Sequence, residues 1–82
     1  MEVIILTTDD WEGFYIDGKL VDEGHVLGEG DNFFFLLRMS EKFGFTSKDI
    51  GNYIVDDDEL DDYLHRNGSL PYDIVNLPGK VM

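Results

Sequence analysis

The sequence predicts an α+β fold: a small two-layer sandwich in which an antiparallel or mixed β-sheet carries two helices on one face. Three observations predict it. A β-branched run opens the chain at residues 2–7. An Asp17-Gly18 dipeptide separates two strand-like segments. Two later stretches, about 32–44 and 57–67, repeat apolar residues at helical spacing and end on Gly44 and on Asn67-Gly68. At 82 residues the chain makes one domain, 1–82, with a small core.

In the first strand Val3, Ile5 and Thr7 share one face, and Ile4 and Leu6 the other. Apolar residues on both faces predict a central strand. Thr8-Asp9-Asp10 is a turn, and residues 11–16 form the second strand. Asp17-Gly18 suits a two-residue hairpin turn that needs positive φ at both positions. Residues 19–26 form the return strand, with Tyr15 opposite Leu20, Phe14 opposite Val21 and Ile16 opposite Lys19.

Asp31 or Asn32 caps the first helix. Phe33, Leu36, Leu37, Ser40 and Phe43 form its apolar stripe, widened by Phe35 and Met39, which leaves Phe34 on the far side near Glu41. Thr46 or Ser47 caps a short turn through Ile50, and 53–55 is a short strand. Asp56 and Glu59 have capping-box spacing ahead of the second helix. Leu60, Tyr63 and Leu64 form its buried face. Asp62 and Arg66 are an i,i+4 pair, and His65 and Arg66 suit the negative end of the helix dipole. Residues 72–77 form a last strand between two prolines.

The charge is segregated. Residues 1–31 carry nine acids and one base, 32–55 two acids and three bases, and 56–82 seven acids and two bases, for a total of −12. This opposes nucleic acid and anionic membranes as direct ligands, because phosphate neutralisation needs clustered Lys and Arg and no two basic residues are adjacent. It favours basic protein surfaces, including those that otherwise hold nucleic acid, and cations. With no cysteine there is no disulfide, thiolate metal site or cysteine nucleophile. The N-terminus lacks a signal-peptide pattern, and the longest apolar run, Phe33 to Leu37, is far short of the roughly 18 residues of a membrane span. A cytoplasmic protein is expected.

Six of the seven residues at 56–62 are carboxylates. Asp58, Glu59 and Asp62 are expected to point outward, with Asp57 and Asp61 at the edge. Acids about one turn apart, roughly 5–6 Å, approximate the phosphate spacing of a DNA strand. The competing explanation is a solvated helix start that complements the macrodipole.

In the simple hairpin register Glu12 opposes Glu23, with Asp9, Asp10 and Asp22 nearby. Like charges so placed destabilise a strand pair. A bulge, a register shift, a cation or a basic partner residue would offset them, and a bulged or frayed hairpin is the plainer solution. Trp11 is either a cap on the core or an exposed apolar anchor. Phe34 is either covered by the loop after Gly44 or exposed as a contact surface. His25 and His65 sit at a strand end and a helix end, and no serine lies in a nucleophile elbow. Gly28-Glu29-Gly30 is no phosphate loop, because it lacks the lysine.

The run Asp9-Asp10-Trp11-Glu12-Gly13-Phe14-Tyr15-Ile16-Asp17-Gly18-Lys19-Leu20-Val21, closing with Glu23-Gly24-His25, resembles a segment shared by short uncharacterised bacteriophage and bacterial proteins. Many of these also have an acidic helix followed by a Gly-x-Leu-Pro sequence, matched here by Gly68-Ser69-Leu70-Pro71. The resemblance covers about half the chain. It implies a phage or mobile-element setting and no particular catalysis.

The expectation is therefore a non-enzymatic, cofactor-free interaction protein that inhibits a host enzyme or defence protein through its acidic surface, by DNA mimicry or otherwise. Its contact residues are Asp57, Asp58, Glu59, Asp61 and Asp62, then Asp9, Asp10 and Glu12, with Trp11 and Phe34 as apolar contacts. Two alternatives are a small-ligand or divalent-cation module built on the acidic hairpin, and an assembly protein that self-associates through the aromatic helix.

Overall fold

The first strand, β1 (Val3–Thr7), runs through the middle of the molecule. Val3, Ile4, Ile5 and Leu6 are all buried, as a strand with apolar residues on both faces requires. The computed structural model describes residues 1–8, 11–25, 27, 32–54 and 58–77. These form β1, β2 (Glu12–Ile16), β3 (Lys19–Gly24), α1 (Asn32–Phe43), a 3₁₀ turn (Ser47–Asp49), β4 (Ile50–Ile54), α2 (Asp58–Asn67) and a second 3₁₀ turn (Ile74–Asn76). The sheet order is β3-β2-β1-β4. β1 pairs antiparallel with β2 and parallel with β4, so the sheet is mixed and the fold is α+β with two helices.

The helices do not share a face. Alternate residues of β1 point to opposite sides of the sheet. Val3 and Ile5 cluster with Phe14, Leu27, Phe35 and Phe45, which places α1 on their side. Ile4 and Leu6 cluster with Tyr15, Leu60 and Leu70, which places α2 on the other. The expected two layers are thus three, helix–sheet–helix. The cause is β1 itself: a strand apolar on both faces needs a cover on each.

The hairpin turn adopts φ 50° at Asp17 and 83° at Gly18, the positive values expected there. Tyr15 pairs with Leu20 and Ile16 with Lys19 as predicted. The register then slips, so that Phe14 pairs with Asp22, Gly13 with Glu23 and Glu12 with Gly24. Val21 is the extra residue. The slip separates Glu12 from Glu23 and removes the like-charge pair of the simple register. Gly13 leaves room for Leu70: a Cβ there would collide with Leu70 Cδ1 and come within 3.3 Å of Tyr15 Cε1, so both buried side chains would have to shift.

α1 buries Phe35 and packs Leu36, Met39 and Phe43 partly against the core. Phe33 and Leu37, expected in the buried stripe, are exposed. Phe45 enters the core just after Gly44, whose φ is 80°. Thr46, one of the two residues expected there, is the N-cap of the first 3₁₀ turn, and its N–H donates to Asp49 Oδ2 at 2.9 Å. Strand β4 begins at Ile50, earlier than predicted.

The last strand expected at 72–77 does not form. Asp73 makes one bridge to Lys19, and the chain turns into the 3₁₀ segment because Asp73 Oδ1 accepts from the Val75 N–H at 3.2 Å. A side chain that caps its own backbone competes with extended pairing. The segment straps the hairpin: Leu20 N–H donates to the Tyr72 carbonyl at 2.7 Å, and Ile74 N–H to the Gly18 carbonyl at 2.8 Å.

Tyr15 anchors the same strap from within. Its buried hydroxyl donates to the Pro71 carbonyl at 2.7 Å. Burial, reinforced by the negative charge of Glu23, pushes the phenol well above the usual tyrosine range. The folded state therefore keeps its proton where the unfolded chain loses it. The stabilisation is complete below the ordinary value of 10.0 and falls as pH rises from there toward the folded-state value. Tyr15→Phe is expected to cost about 1–2 kcal/mol at neutral pH and to flatten the alkaline limb. Urea midpoints measured from pH 7 to pH 11 check both.

Candidate functional site

α2 begins with Asp58, Glu59 and Asp61 and ends with His65 and Arg66, so its charges run with the helix dipole at both ends. Leu60 is buried and Leu64 packs partly against the same cluster. This fixes the rotation of the helix: Asp58, Glu59 and Asp62 are exposed and Asp61 is half-buried. The Gly68 N–H closes the end on the Leu64 carbonyl at 2.7 Å, with Gly68 at φ 72°. Arg66 Nε donates to the carbonyl oxygen of Asp62 at 3.3 Å, so this predicted pair meets through the backbone. Asp56 and Asp57, and with them the predicted capping box, lie outside the described residues.

The acids of the hairpin serve a different purpose. Glu23 Oε1 accepts from Trp11 Nε1 at 3.0 Å and from the Leu70 N–H at 2.7 Å. Glu12 Oε1 accepts from the Leu27 N–H at 2.9 Å, on the α1 side of the sheet. Each carboxylate ties a distant segment to the hairpin. Trp11 is half-buried against the α2-side core, and its ring meets His25 edge-on at 4.8 Å. Thr8 and Trp11 close the predicted turn, with the Thr8 N–H donating to the Trp11 carbonyl at 2.8 Å. Asp9 and Asp10 lie outside the described residues.

Glu12 and α2 thus occupy opposite sides of the sheet, and the structure does not bring them into one row. Phe34 is exposed beside Phe33, with ring centroids 5.7 Å apart, and the loop after Gly44 sends Phe45 into the core instead of over Phe34. Among the described residues no group of three His, Asp or Glu side chains is placed to hold a metal ion. Ser40 Oγ donates to the Phe45 carbonyl at 2.7 Å, which accounts for its place in α1. Among the described residues no helix is long and apolar enough to cross a membrane.

Sequence reasoning missed the strap at 70–77 and the role of Glu23 within it. No sequence signal pointed to either, because nothing local joins residues as far apart as Gly13 and Leu70, which the structure brings together. Lys19 and Asp73 form an ion pair at the strap, and its hydrogen bond holds the Asp73 carboxyl below the usual carboxylate range. No family model matches the chain, and no curated protein or solved structure matches it either.

Proposed function

We propose that this protein is a non-enzymatic interaction module whose α2 helix binds a basic surface of a partner protein. One observation carries the reading: Asp58, Glu59 and Asp62 are exposed on a helix whose opposite side is anchored by the buried Leu60. The carboxylates are therefore presented from a helix packed on the core, and the net charge of −12 steers a basic partner toward them. Glu12 and Trp11 have roles inside the fold, so the proposed surface centres on α2 and includes Asp61 at its edge. In the phage setting implied by the sequence resemblance, the partner would be a host enzyme or defence protein, and its basic nucleic-acid-binding groove would be the surface occupied and inhibited.

The test is affinity capture from bacterial lysate with wild type and with the variant carrying Asp58→Lys, Glu59→Lys and Asp62→Lys. The partner bound by wild type is then titrated against both proteins. Affinity is expected to drop at least about tenfold in the variant, since each exposed pair contributes roughly 0.2–1 kcal/mol and reversal replaces attraction by repulsion. Wild-type binding is expected to weaken as salt rises. Equal binding by a variant with an unchanged circular-dichroism spectrum would sink the proposal.

A further inference from the structure

Asn67 is the last residue of α2, and Gly68 follows it in the single Asn-Gly step of the chain. Both residues are exposed. That dipeptide carries a chemistry of its own. The amide nitrogen of the following residue can attack an asparagine side-chain carbonyl and close a five-membered ring. Glycine hinders the approach least because it has no Cβ. In the folded chain two hydrogen bonds oppose this step. The Gly68 N–H, whose nitrogen is the nucleophile, donates to the Leu64 carbonyl at 2.7 Å. Asn67 Nδ2, the leaving group, donates to the Tyr63 carbonyl at 2.9 Å. The backbone opposes it as well. Ring closure requires the Gly68 nitrogen to eclipse the Cα–Cβ bond of Asn67, and a helical ψ of about −42° holds it well off that alignment.

From this we infer that Asn67 is a spontaneous deamidation site whose rate is set by opening of the last turn of α2. When the turn frays, both hydrogen bonds break together and ψ is released. Gly68 N then bonds to Asn67 Cγ, the Cγ–Nδ2 bond breaks, and ammonia leaves with the proton that the Gly68 nitrogen has lost. Water opens the cyclic imide at one carbonyl or the other and returns a proton to the ring nitrogen. The result is an aspartate or an isoaspartate at that position. The sum is amide plus water to carboxylate plus ammonium, with no enzyme, metal or redox partner.

The product does not restore the turn. It puts a negative charge at the end of α2 where the dipole is already negative, and its carboxylate has no proton to donate to the Tyr63 carbonyl. The isoaspartate also adds a methylene to the main chain where α2 meets the strap. Each event therefore loosens that join irreversibly. The site is separate from the carboxylates of the proposed partner surface, and its chemistry needs no partner.

Wild type is incubated at neutral pH with and without denaturing guanidinium chloride. Peptide mapping by mass spectrometry follows the small mass gain from NH₂ to OH at position 67. Asp17-Gly18 rearranges without a change of mass and stays out of the readout. In denaturant the product is expected at Asn67 ahead of Asn32, Asn52 and Asn76, none of which precedes a glycine. In the folded protein the rate is expected to be at least about tenfold lower. Arg66→Gly weakens the last turn and is expected to raise the ratio of folded to denatured rate by about fivefold. Ile5→Val, on the α1 side of the sheet, lowers global stability and is expected to leave that ratio unchanged, because the opening is local. Equal rates in the folded and denatured protein overturn the inference, as does a denatured chain without product at Asn67. So does a ratio that Arg66→Gly leaves alone, or that Ile5→Val raises as much.

Discussion

Phe14→Ala is expected to bring the chain close to unfolding at ambient temperature. Phe14 is fully buried, and its ring meets Phe35 of α1 edge-on at 5.1 Å and Phe45 at 6.1 Å. It joins the sheet, the helix and the loop after α1 in one cluster, so truncation leaves a cavity that no single element can close. Such substitutions cost about 3–5 kcal/mol. A domain of this length has roughly 4–12 kcal/mol in total, and the melting temperature should fall by roughly 15–30 °C. Phe33→Ala on the adjacent helix is the control. Phe33 is mostly exposed, and its loss is expected to change stability by less than about 0.5 kcal/mol. Thermal melts of the two variants test the observed rotation of α1, because the sequence stripe places Phe33 inside and predicts a large cost for it.

Glu23→Ala should be the most damaging substitution of a charged residue. One carboxylate oxygen, Oε1, takes both the Trp11 indole N–H and the Leu70 backbone N–H. Removing it leaves two part-buried donors without that acceptor, at a cost of about 2–4 kcal/mol. Glu23→Gln keeps an oxygen in the same place. It is expected to lose about 1 kcal/mol, the difference between charged and neutral acceptors. Chemical denaturation of both variants decides the point. If the two lose equal stability, charge matters at this position and the shared oxygen does not. Trp11 is the single tryptophan, so its fluorescence reports the loss of the contact directly.

The elements most legible in sequence were those with local causes. The Asp17-Gly18 turn follows from the φ values those residues tolerate. The stops at Gly44 and Gly68 follow from the left-handed conformation that ends a helix. The central position of β1 follows from its apolar residues on both faces. The outward acids of α2 follow from the period of Leu60 and Leu64. Less legible were the features set by distant contacts. The strap at 70–77 reads as a strand from composition, because its turn depends on Asp73 capping its own backbone and on hydrogen bonds to residues 18 and 20. The buried face of α1 was misplaced by about one position, because three consecutive phenylalanines satisfy several helical phases equally well and only the sheet selects one.

The acidic hairpin shows the same division. The sequence by itself determined that two glutamates would conflict in a simple register, because side-chain spacing along a strand is invariant. Only the tertiary structure decided how the conflict ends: Val21 slips the register, Glu23 turns to Trp11 and Leu70, and Glu12 turns to Leu27. The sequence likewise determined that β1 is apolar on both faces and that α2 would carry its charge outward, since burial pattern and helical period are local properties; that a helix covers each face, and not two helices one face, came from the tertiary structure. Which helix took which side was decided by long-range packing of Phe35 and Leu60, which no local pattern encodes. That packing also separates the aromatic side of α1 from the acidic side of α2, and leaves this small domain with two chemically different helices on opposite sides of one sheet.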